Sequence, residues 1–335
     1  MWPPVRRIPD MVQRLQHGGG LDEAARVFGI AKADWLDLST GINPVPYPVG
    51  VVSQAQWARL PDKDAERDLL NAARAYYGVP DDAAIVAAPG TQALIQMIPR
   101  LLAPSRVAVM VPTYGEHAQC WRIAGHQVTE VPAADGIPRD ADVVVLVNPN
   151  NPDGWRWPVA DIVNVAGSGR TLIVDEAFAD VVPALSAIAH TGRGGLIILR
   201  SFGKFFGLAG LRLGFAVSDP VFADRLGAAI GPWAVSGPAL EIGARALSDD
   251  MWIGGARTRL AADAARLDVI MADHVGGHLG GTDLFRLYDT GARNLHEELA
   301  ANGIWSRAFD GHPGWMRLGL PGTEDGFLRL QNALA

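Results

Sequence analysis

Between about residues 84 and 215, the sequence alternates short, continuous apolar runs with longer mixed segments, and this alternation constrains the fold most. Runs of Val, Ile and Leu without polar alternation predict strands covered on both faces, and the mixed segments predict connecting helices. The chain is therefore predicted to be an α/β protein with a mostly parallel sheet between helices. The predicted strands are Arg106–Val111, Val143–Val147, Thr171–Val174, Leu196–Leu199 and Leu213–Val217.

Polar residues follow the predicted strands at the point where each strand ends. Pro112-Thr113-Tyr114 follows the first strand, Asn148–Pro152 the second, Asp175-Glu176 the third and Arg200–Lys204 the fourth. In open α/β sheets, binding sites lie beyond the carboxyl ends of the strands. The sequence therefore predicts one site built from several of these loops.

Composition and charge narrow the class of protein. With 49% hydrophobic and 19% charged residues, the 335-residue chain is expected to bury a sizeable core. Its formal charge of −7 and its lack of a basic cluster argue against nucleic-acid binding. Cys120, the only cysteine, offers neither an internal disulfide nor a metal cluster, and no apolar run approaches the roughly 20 residues of a membrane span. We expect a cytoplasmic protein without a bound metal or a membrane partner.

The two ends of the chain differ from its middle. Residues 221–275 are rich in Ala, Leu and Arg and predict helices, and Leu21–Phe28 predicts a helix after a glycine run. Residues 281–330 predict a compact α+β unit. In that unit the predicted strands are Leu284–Tyr288 and Trp315–Leu318, and the predicted helix is Ala292–Asn302.

Lys204 is the candidate nucleophile. The chain holds three lysines, Lys32, Lys63 and Lys204, among 29 basic residues, and Lys204 lies in an apolar, glycine-punctuated segment. Burial in such a segment lowers the pKa of an ammonium group, so that the amine can attack a carbonyl carbon. Taken alone, a lysine after a strand is more often a solvated loop residue.

Two other interpretations of this segment fail on particular residues. Ser201-x-x-Lys204 has the Ser-x-x-Lys spacing of serine β-lactamases, but the accompanying Lys-Thr-Gly is absent. Gly203-Lys204 has part of a P-loop, but Phe205 stands where that motif requires Ser or Thr, and its upstream glycine is missing.

If Lys204 forms a Schiff base with pyridoxal 5′-phosphate (PLP), the neighbouring polar residues can all be interpreted as contacts of this cofactor. Asp175 would keep the pyridine nitrogen of PLP protonated, and Asn151 would donate to the 3′-oxygen of the ring. Taken alone, Asp175 also suits a helix cap or a metal ligand, and Asn151 suits a turn.

The phosphate and the ring of PLP need their own contacts. The Gly90-Thr91-Gln92 turn leads into a predicted helix, Ala93–Leu101, whose N-terminus suits a phosphate group. We expect Ser201 and Arg212 to complete this phosphate site and Tyr114 to stack on the ring. Singly, a Gly-Thr turn is usually a cap and such a tyrosine is usually part of the core.

The order and spacing of these residues resemble the fold-type I PLP enzymes, the aspartate aminotransferase superfamily, and within it the histidinol-phosphate aminotransferase branch. The match covers roughly residues 35 to 325, and the string from Ser201 to Gly214 is highly specific. The resemblance assigns Arg317 to the α-carboxylate of the substrate, a task that suits a bidentate guanidinium. The alternative for Arg317 is a surface ion pair.

The resemblance also implies the fold and the assembly. It implies the PLP-dependent transferase fold and a homodimer. The large PLP-binding domain is expected at residues 46–245. A smaller α+β domain is expected to combine residues 1–45 with residues 246–335.

Two N-terminal segments, His17-Gly18-Gly19 and Leu36–Pro44, resemble a narrower group, the L-threonine-O-3-phosphate decarboxylases of cobalamin biosynthesis. This group makes (R)-1-amino-2-propanol O-2-phosphate and CO2 from a small phosphorylated amino acid. The resemblance places His17, Gly41 and Asn43 at the substrate, together with Asn151 and Arg317. A histidinol-phosphate-type aminotransferase and a non-catalytic PLP-binding regulatory module stay open as alternatives.

Three positions depart from the aminotransferase pattern. Asp153 replaces a usual Thr, which fits the decarboxylase group. Phe178 stands where aminotransferases often have a tyrosine that binds the 3′-oxygen, which counts against ordinary transamination. Leu60 replaces a tyrosine whose hydroxyl reaches the neighbouring subunit's cofactor, so a contact expected to support the dimer is lost.

Overall fold

A seven-stranded sheet lies at the centre of the structure, a computed structural model that describes residues 18–192 and 194–335. Numbered in chain order over these residues, the strands are β1 (Leu36–Asp37), β2 (Ala84–Ala88), β3 (Arg106–Val111), β4 (Gln127–Pro132), β5 (Val143–Val147), β6 (Thr171–Asp175), β7 (Leu196–Ser201), β8 (Gly214–Ser218), β9 (Gly277–Thr282), β10 (Phe285–Asp289), β11 (Ile304–Trp305), β12 (Arg307–Ala308) and β13 (Trp315–Gly319). The α-helices are α1 (Leu21–Phe28), α2 (Gln54–Ala58), α3 (Lys63–Tyr77), α4 (Thr91–Leu101), α5 (Glu116–Ile123), α6 (Val159–Ala166), α7 (Phe202–Phe205), α8 (Pro220–Ile230), α9 (Gly237–Leu247), α10 (Asp250–Met271), α11 (Leu295–Ala301) and α12 (Glu324–Leu334).

The central sheet has the strand order β2-β8-β7-β6-β5-β3-β4. Strand β8 runs antiparallel to both of its neighbours, and the other pairings are parallel. The mostly parallel sheet predicted from the sequence is therefore confirmed. Three strands extend beyond their predicted ends, so that Asp175 closes β6, Ser201 closes β7 and Ser218 closes β8.

Helices cover both faces of the sheet, which explains the continuous apolar runs of its inner strands. All five residues of β5 are buried. One face packs against α4, α5 and α8, represented by Leu94, Trp121 and Leu226 in a single apolar cluster. On the other face, Leu69 of α3 and Ile162 of α6 belong to the same apolar cluster as Val144 of β5. Burial on both faces removes the polar alternation of a half-exposed strand.

The two ends of the described chain meet. The described residues form a second, antiparallel sheet in the order β12-β13-β10-β9, and β1 pairs in parallel with β11 through Leu36↔Ile304 and Asp37↔Trp305. This pairing agrees with a smaller unit built from both termini, while its boundaries at residues 45 and 245 stay a prediction. In the described ranges, no helix has both the length and the apolar character needed to cross a membrane.

Candidate active site

A cavity of about 750 Å³ opens beyond the carboxyl ends of the central strands. Most of the residues predicted for the site line it: Gly41, Gly90, Thr91, Gln92, Tyr114, Asn151, Asp175, Ser201, Lys204, Arg212 and Arg317. Because loops that follow different strands meet at one edge of a sheet, residues as far apart as Gly90 and Arg212 share one cavity. Gly41 and Arg317 reach the same cavity from outside the central sheet. Asn43 does not line it, and His17 lies outside the described residues.

Lys204 lies in the short helix α7, directly after β7. Its Nζ is 5.6 Å from the centre of the Phe178 ring. Burial, assisted by the Arg317 guanidinium, lowers the pKa of Lys204 to about 8, although Asp175 acts in the opposite direction. Roughly one amine in ten is then neutral at pH 7, compared with fewer than about one in a thousand for an ordinary lysine. The site therefore activates this lysine as a nucleophile.

Asp175 is buried at the end of β6 and is held on both carboxylate oxygens. Its Oδ1 accepts a hydrogen bond from the Ala177 N–H at 3.0 Å, and its Oδ2 lies 3.0 Å from His117 Nε2. An ionised carboxylate only accepts hydrogen bonds, so Nε2 is the donor of this pair. Sequence reasoning missed His117. The available signal was its spacing, since it lies one helical turn after Tyr114, and Tyr114 had been assigned to the ring.

The residues at the start of α4 fit a phosphate group. A Cβ at Gly90, where φ is 85°, would lie 2.5 Å from Arg212 Nη2, and a Cβ at Gly214 would lie 2.6 Å from the Thr91 nitrogen. Glycine at both positions leaves the first N–H groups of α4 open beside a guanidinium. A helix N-terminus and an arginine together suit an anion. The described residues therefore fit a cofactor with a phosphate group and a carbonyl carbon.

Tyr114 forms part of the cavity wall, and its orientation is fixed by neighbours. Its hydroxyl donates to Gln92 Oε1 at 3.1 Å, and Gln92 Nε2 donates to Glu116 Oε2 at 3.0 Å. Burial raises the pKa of Tyr114, so the hydroxyl remains protonated and can donate. This arrangement suits a wall for a flat ring, and the stacking itself stays a prediction.

Arg317 enters the cavity from β13 and is buried. Its Nη2 donates to the Ser39 carbonyl at 2.7 Å, and its Nη1 donates to Asn151 Oδ1. Its Nε has no hydrogen-bond partner among the described residues. Burial and the Arg307 guanidinium lower the pKa of Arg317 to about 10, so it is charged at neutral pH. This buried position differs from the surface ion pair that was the alternative.

Arg307 is a second cavity-lining arginine, which sequence reasoning missed. It lies on β12 directly opposite Arg317 of β13, and both side chains line the cavity. Burial lowers the pKa of Arg307 as well. Asp310, which also lines the cavity, acts on Arg307 in the opposite direction. Two guanidinium groups on one wall of a cavity suit one or more bound anions, because guanidinium groups form strong, directed hydrogen bonds to carboxylate and phosphate oxygens.

Asn43 was predicted to contact the substrate, but in the structure its side chain faces away from the cavity. Asn43 is 2% exposed, and its Nδ2 donates to the Phe205 carbonyl at 2.8 Å, while its Oδ1 accepts from Arg259 Nη2 at 2.8 Å. These bonds face α7 and α10 instead of the cavity. Gly41 does line the cavity, and a Cβ there would lie 2.8 Å from Phe285 Cδ1.

Phe178 forms an apolar wall beside the lysine. Its ring packs edge-on against Phe285, with 5.0 Å between the ring centres. The position therefore carries no hydroxyl that could donate to a cofactor.

Comparison with known proteins shows which enzyme family the chain belongs to. The model of the family "Aminotransferase class I and II" matches residues 33–331, and the chain belongs to this family. It is 44% identical to threonine-phosphate decarboxylase from Pseudomonas aeruginosa over 328 residues, which cover 96% of this chain and 97% of that protein. It is 32% identical to histidinol-phosphate aminotransferase from Halobacterium salinarum over 280 residues, or 73% of this chain and 75% of that protein. The crystal structure of histidinol-phosphate aminotransferase from Sinorhizobium meliloti, a complex with PLP, has the same fold, with a TM-score of 0.78 at 24% identity over 99% of this chain and 97% of that one.

Proposed function

We propose that this chain is a PLP-dependent decarboxylase that converts L-threonine O-3-phosphate to (R)-1-amino-2-propanol O-2-phosphate and CO2 in cobalamin biosynthesis. The observation that carries the proposal is the pairing of Arg307 with Arg317 in the cavity that contains Lys204. A small amino acid with a carboxylate and a phosphate needs two cationic anchors near the reactive amine. The 44% identity to threonine-phosphate decarboxylase over 96% of the chain supports this substrate.

The cofactor would be held at both of its ends. The phosphate would lie against Gly90, Thr91, Ser201 and Arg212, and the pyridine nitrogen would face Asp175. The ring would lie between Tyr114 and the opposite wall, in reach of Gln92 and Asn151. Bound PLP supplies an aldehyde carbon that reacts with amines and a ring that draws electrons from the substrate's Cα.

The two arginines decide which bond of the substrate breaks. Arg317 would bind the carboxylate and Arg307 the phosphate, and two anchors fix rotation about the Cα–N bond. The carboxylate is then held where its bond to Cα is the one that weakens. That bond breaks, CO2 leaves, the electron pair stays on the Cα side, and Lys204 Nζ delivers a proton to Cα.

The second candidate is an aminotransferase of the histidinol-phosphate type. The 32% identity to histidinol-phosphate aminotransferase over 73% of the chain favours it. In that reaction Lys204 would remove the Cα proton instead of returning one. A regulatory module without catalysis is less well supported, because the relatives at 44% and 32% identity are a decarboxylase and an aminotransferase.

The function is tested by supplying the enzyme and PLP with L-threonine O-3-phosphate. We expect release of CO2 and a phosphorylated amino alcohol in equal amounts. Histidinol phosphate with 2-oxoglutarate is the control for transamination. If the enzyme consumes histidinol phosphate and releases no CO2 from threonine phosphate, the chain is an aminotransferase and not a decarboxylase.

Arg307→Ala tests the phosphate anchor. Loss of one charge-assisted contact costs about 1.5–3 kcal/mol, so KM for threonine phosphate should rise by roughly 10-fold to 100-fold or more. Unphosphorylated threonine lacks the group that Arg307 would bind, so its weaker reaction should change little. Arg293→Ala, which removes an exposed arginine paired with Glu298, is the matched control. An equal effect on both amino acids would rule out Arg307 as a phosphate ligand.

We further propose that the chain works in the cytoplasm as a homodimer. Four large apolar side chains between residues 49 and 60 are exposed: Val49 at 38%, Val51 at 90%, Trp57 at 66% and Leu60 at 67%. Exposed apolar patches of this kind occur at protein interfaces. Leu60 would contribute apolar area where a tyrosine hydroxyl is lacking. Sedimentation equilibrium measures the mass, and a monomer at micromolar concentration would contradict the dimer.

A further inference from the structure

The helix that carries Lys204 is held at its end by a distant segment of the chain. Helix α7 has four residues, so its last carbonyls need partners outside it. The Lys204 carbonyl accepts from the Asn43 N–H at 2.9 Å, and the Phe206 carbonyl accepts from the Tyr47 N–H at 2.9 Å. Between them, the Phe205 carbonyl accepts from Asn43 Nδ2 at 2.8 Å. Three successive carbonyls, beginning at Lys204, are thus bonded by residues 43–47.

The two segments pack without space between them. Gly207 has a φ of 68°, and a Cβ there would lie 2.7 Å from the backbone carbonyl oxygen of Asn43 and 2.7 Å from Pro46 Cα. Tyr47 packs edge-on against Trp252 of α10, with 5.2 Å between ring centres. The contact therefore depends on glycine at position 207 and leaves residues 43–47 little freedom to move relative to α7.

Arg259 of α10 sets the orientation of the Asn43 amide. Its Nη2 donates to Asn43 Oδ1 at 2.8 Å, and the Val45 N–H donates to the same oxygen at 3.0 Å. With Oδ1 bound to two donors, Nδ2 points at the Phe205 carbonyl. Arg259 is itself 3.4 Å from Asp263, one turn further along α10.

The other end of the same segment is bonded to the substrate-binding strand. The Ser39 carbonyl accepts from Arg317 Nη2 at 2.7 Å, and the Leu38 carbonyl accepts from the Gly319 N–H at 2.7 Å. Residues 38–47, which we call the strap, therefore connect Arg317 at one end with the backbone of Lys204 at the other.

We propose that Asn43 and Arg259 are positioning residues, which act through the strap to hold Lys204 at a set place relative to Arg317. The proposal rests on the proposed function for the role of Lys204 as the reactive amine, and not on whether the reaction is decarboxylation or transamination. A proton transfer between Nζ and Cα requires close placement of the two atoms. Misplacement by about 1 Å costs on the order of 100-fold in rate.

The test compares Asn43→Ala and Arg259→Met with Arg266→Met. Arg266 lies on the same helix, in an exposed ion pair with Glu324 at 2.6 Å, and is the matched control. The reactivity of Lys204 is measured in the cofactor-free protein by acylation over a range of pH, followed by mass spectrometry. Lys32 and Lys63 are internal references for the reagent, because they are the other two lysines of the chain.

In Asn43→Ala and Arg259→Met we expect the pH profile of Lys204 labelling to move to higher pH, since a released side chain is better hydrated. The charged groups around the amine, Asp175, Arg212 and Arg317, are unchanged in both variants. With PLP and threonine phosphate, kcat should fall by about 10-fold to 100-fold while KM changes a few-fold at most, since Arg307 and Arg317 are intact.

If Arg259→Met shows the labelling profile and the kcat of Arg266→Met, the proposal is overturned. Should Asn43→Ala fail to fold, Arg259→Met decides alone, because it removes one donor and leaves the Asn43 amide in place. If the variants shift the labelling profile but the wild-type enzyme releases no CO2 from threonine phosphate, the positioning role of the strap is supported. The proposed substrate is then wrong.

Discussion

The Lys204→Ala variant is expected to lose turnover, by roughly 10⁴-fold or more, because both the nucleophilic amine and the proton donor to Cα are removed. The fold should be retained, since Lys204 makes its backbone hydrogen bond to Asn43 through its carbonyl, which alanine keeps. PLP should still bind, because the phosphate site at Gly90 and Arg212 is unchanged. The yellow colour of the lysine-bound cofactor should be absent.

Borohydride reduction of the wild-type enzyme with PLP, followed by peptide mapping, identifies the modified lysine directly. The label is expected on Lys204, and Lys63→Ala is the control that keeps both colour and turnover. Lys63 begins α3, outside the residues that line the cavity. A pyridoxyl group found on Lys32 or Lys63 would contradict the assignment of the active site.

The central sheet was predictable because burial on both faces leaves a strong signal in the sequence. Strands β3 and β5 have the bounds predicted for them. Strand β4 was missed because it lies at the sheet edge and is half exposed, so its Gln, Thr and Glu interrupt the apolar run. Strand β9 was missed because its glycines carry no side-chain pattern.

The cavity was predictable where its residues directly follow a strand, as Asp175 and Lys204 do. Arg307 was not, because its position opposite Arg317 depends on the register of two strands, one of them two residues long. Asn43 was assigned to the wrong side of its segment, because a sequence indicates that a loop passes a site but not which way each side chain faces. The partner of Asp175, His117, depends on the rotation of α5 about its axis.

The Asp175→Ala variant is expected to bind PLP but to react slowly, because its pyridine nitrogen would no longer be held in the protonated state. Preorganised electrostatic contacts of this kind contribute about 3–4 kcal/mol, which corresponds to two to three decades in kcat. The loss should appear in kcat more than in KM, since Arg307 and Arg317 bind the substrate elsewhere in the cavity.

Asp175→Asn separates charge from shape, because it keeps the size of the side chain and removes its charge. It should be slowed about as much as Asp175→Ala if the charge is what matters. His117→Ala should have a smaller effect, because Asp175 keeps its charge and its bond from the Ala177 N–H at 3.0 Å. Stopped-flow measurement of single turnovers with threonine phosphate compares the three variants with the wild-type enzyme.

If both Asp175 variants react within a factor of a few of the wild type, Asp175 is not the partner of the pyridine nitrogen. If Asp175→Asn alone retains its rate, the shape of the side chain and not its charge is what the site requires.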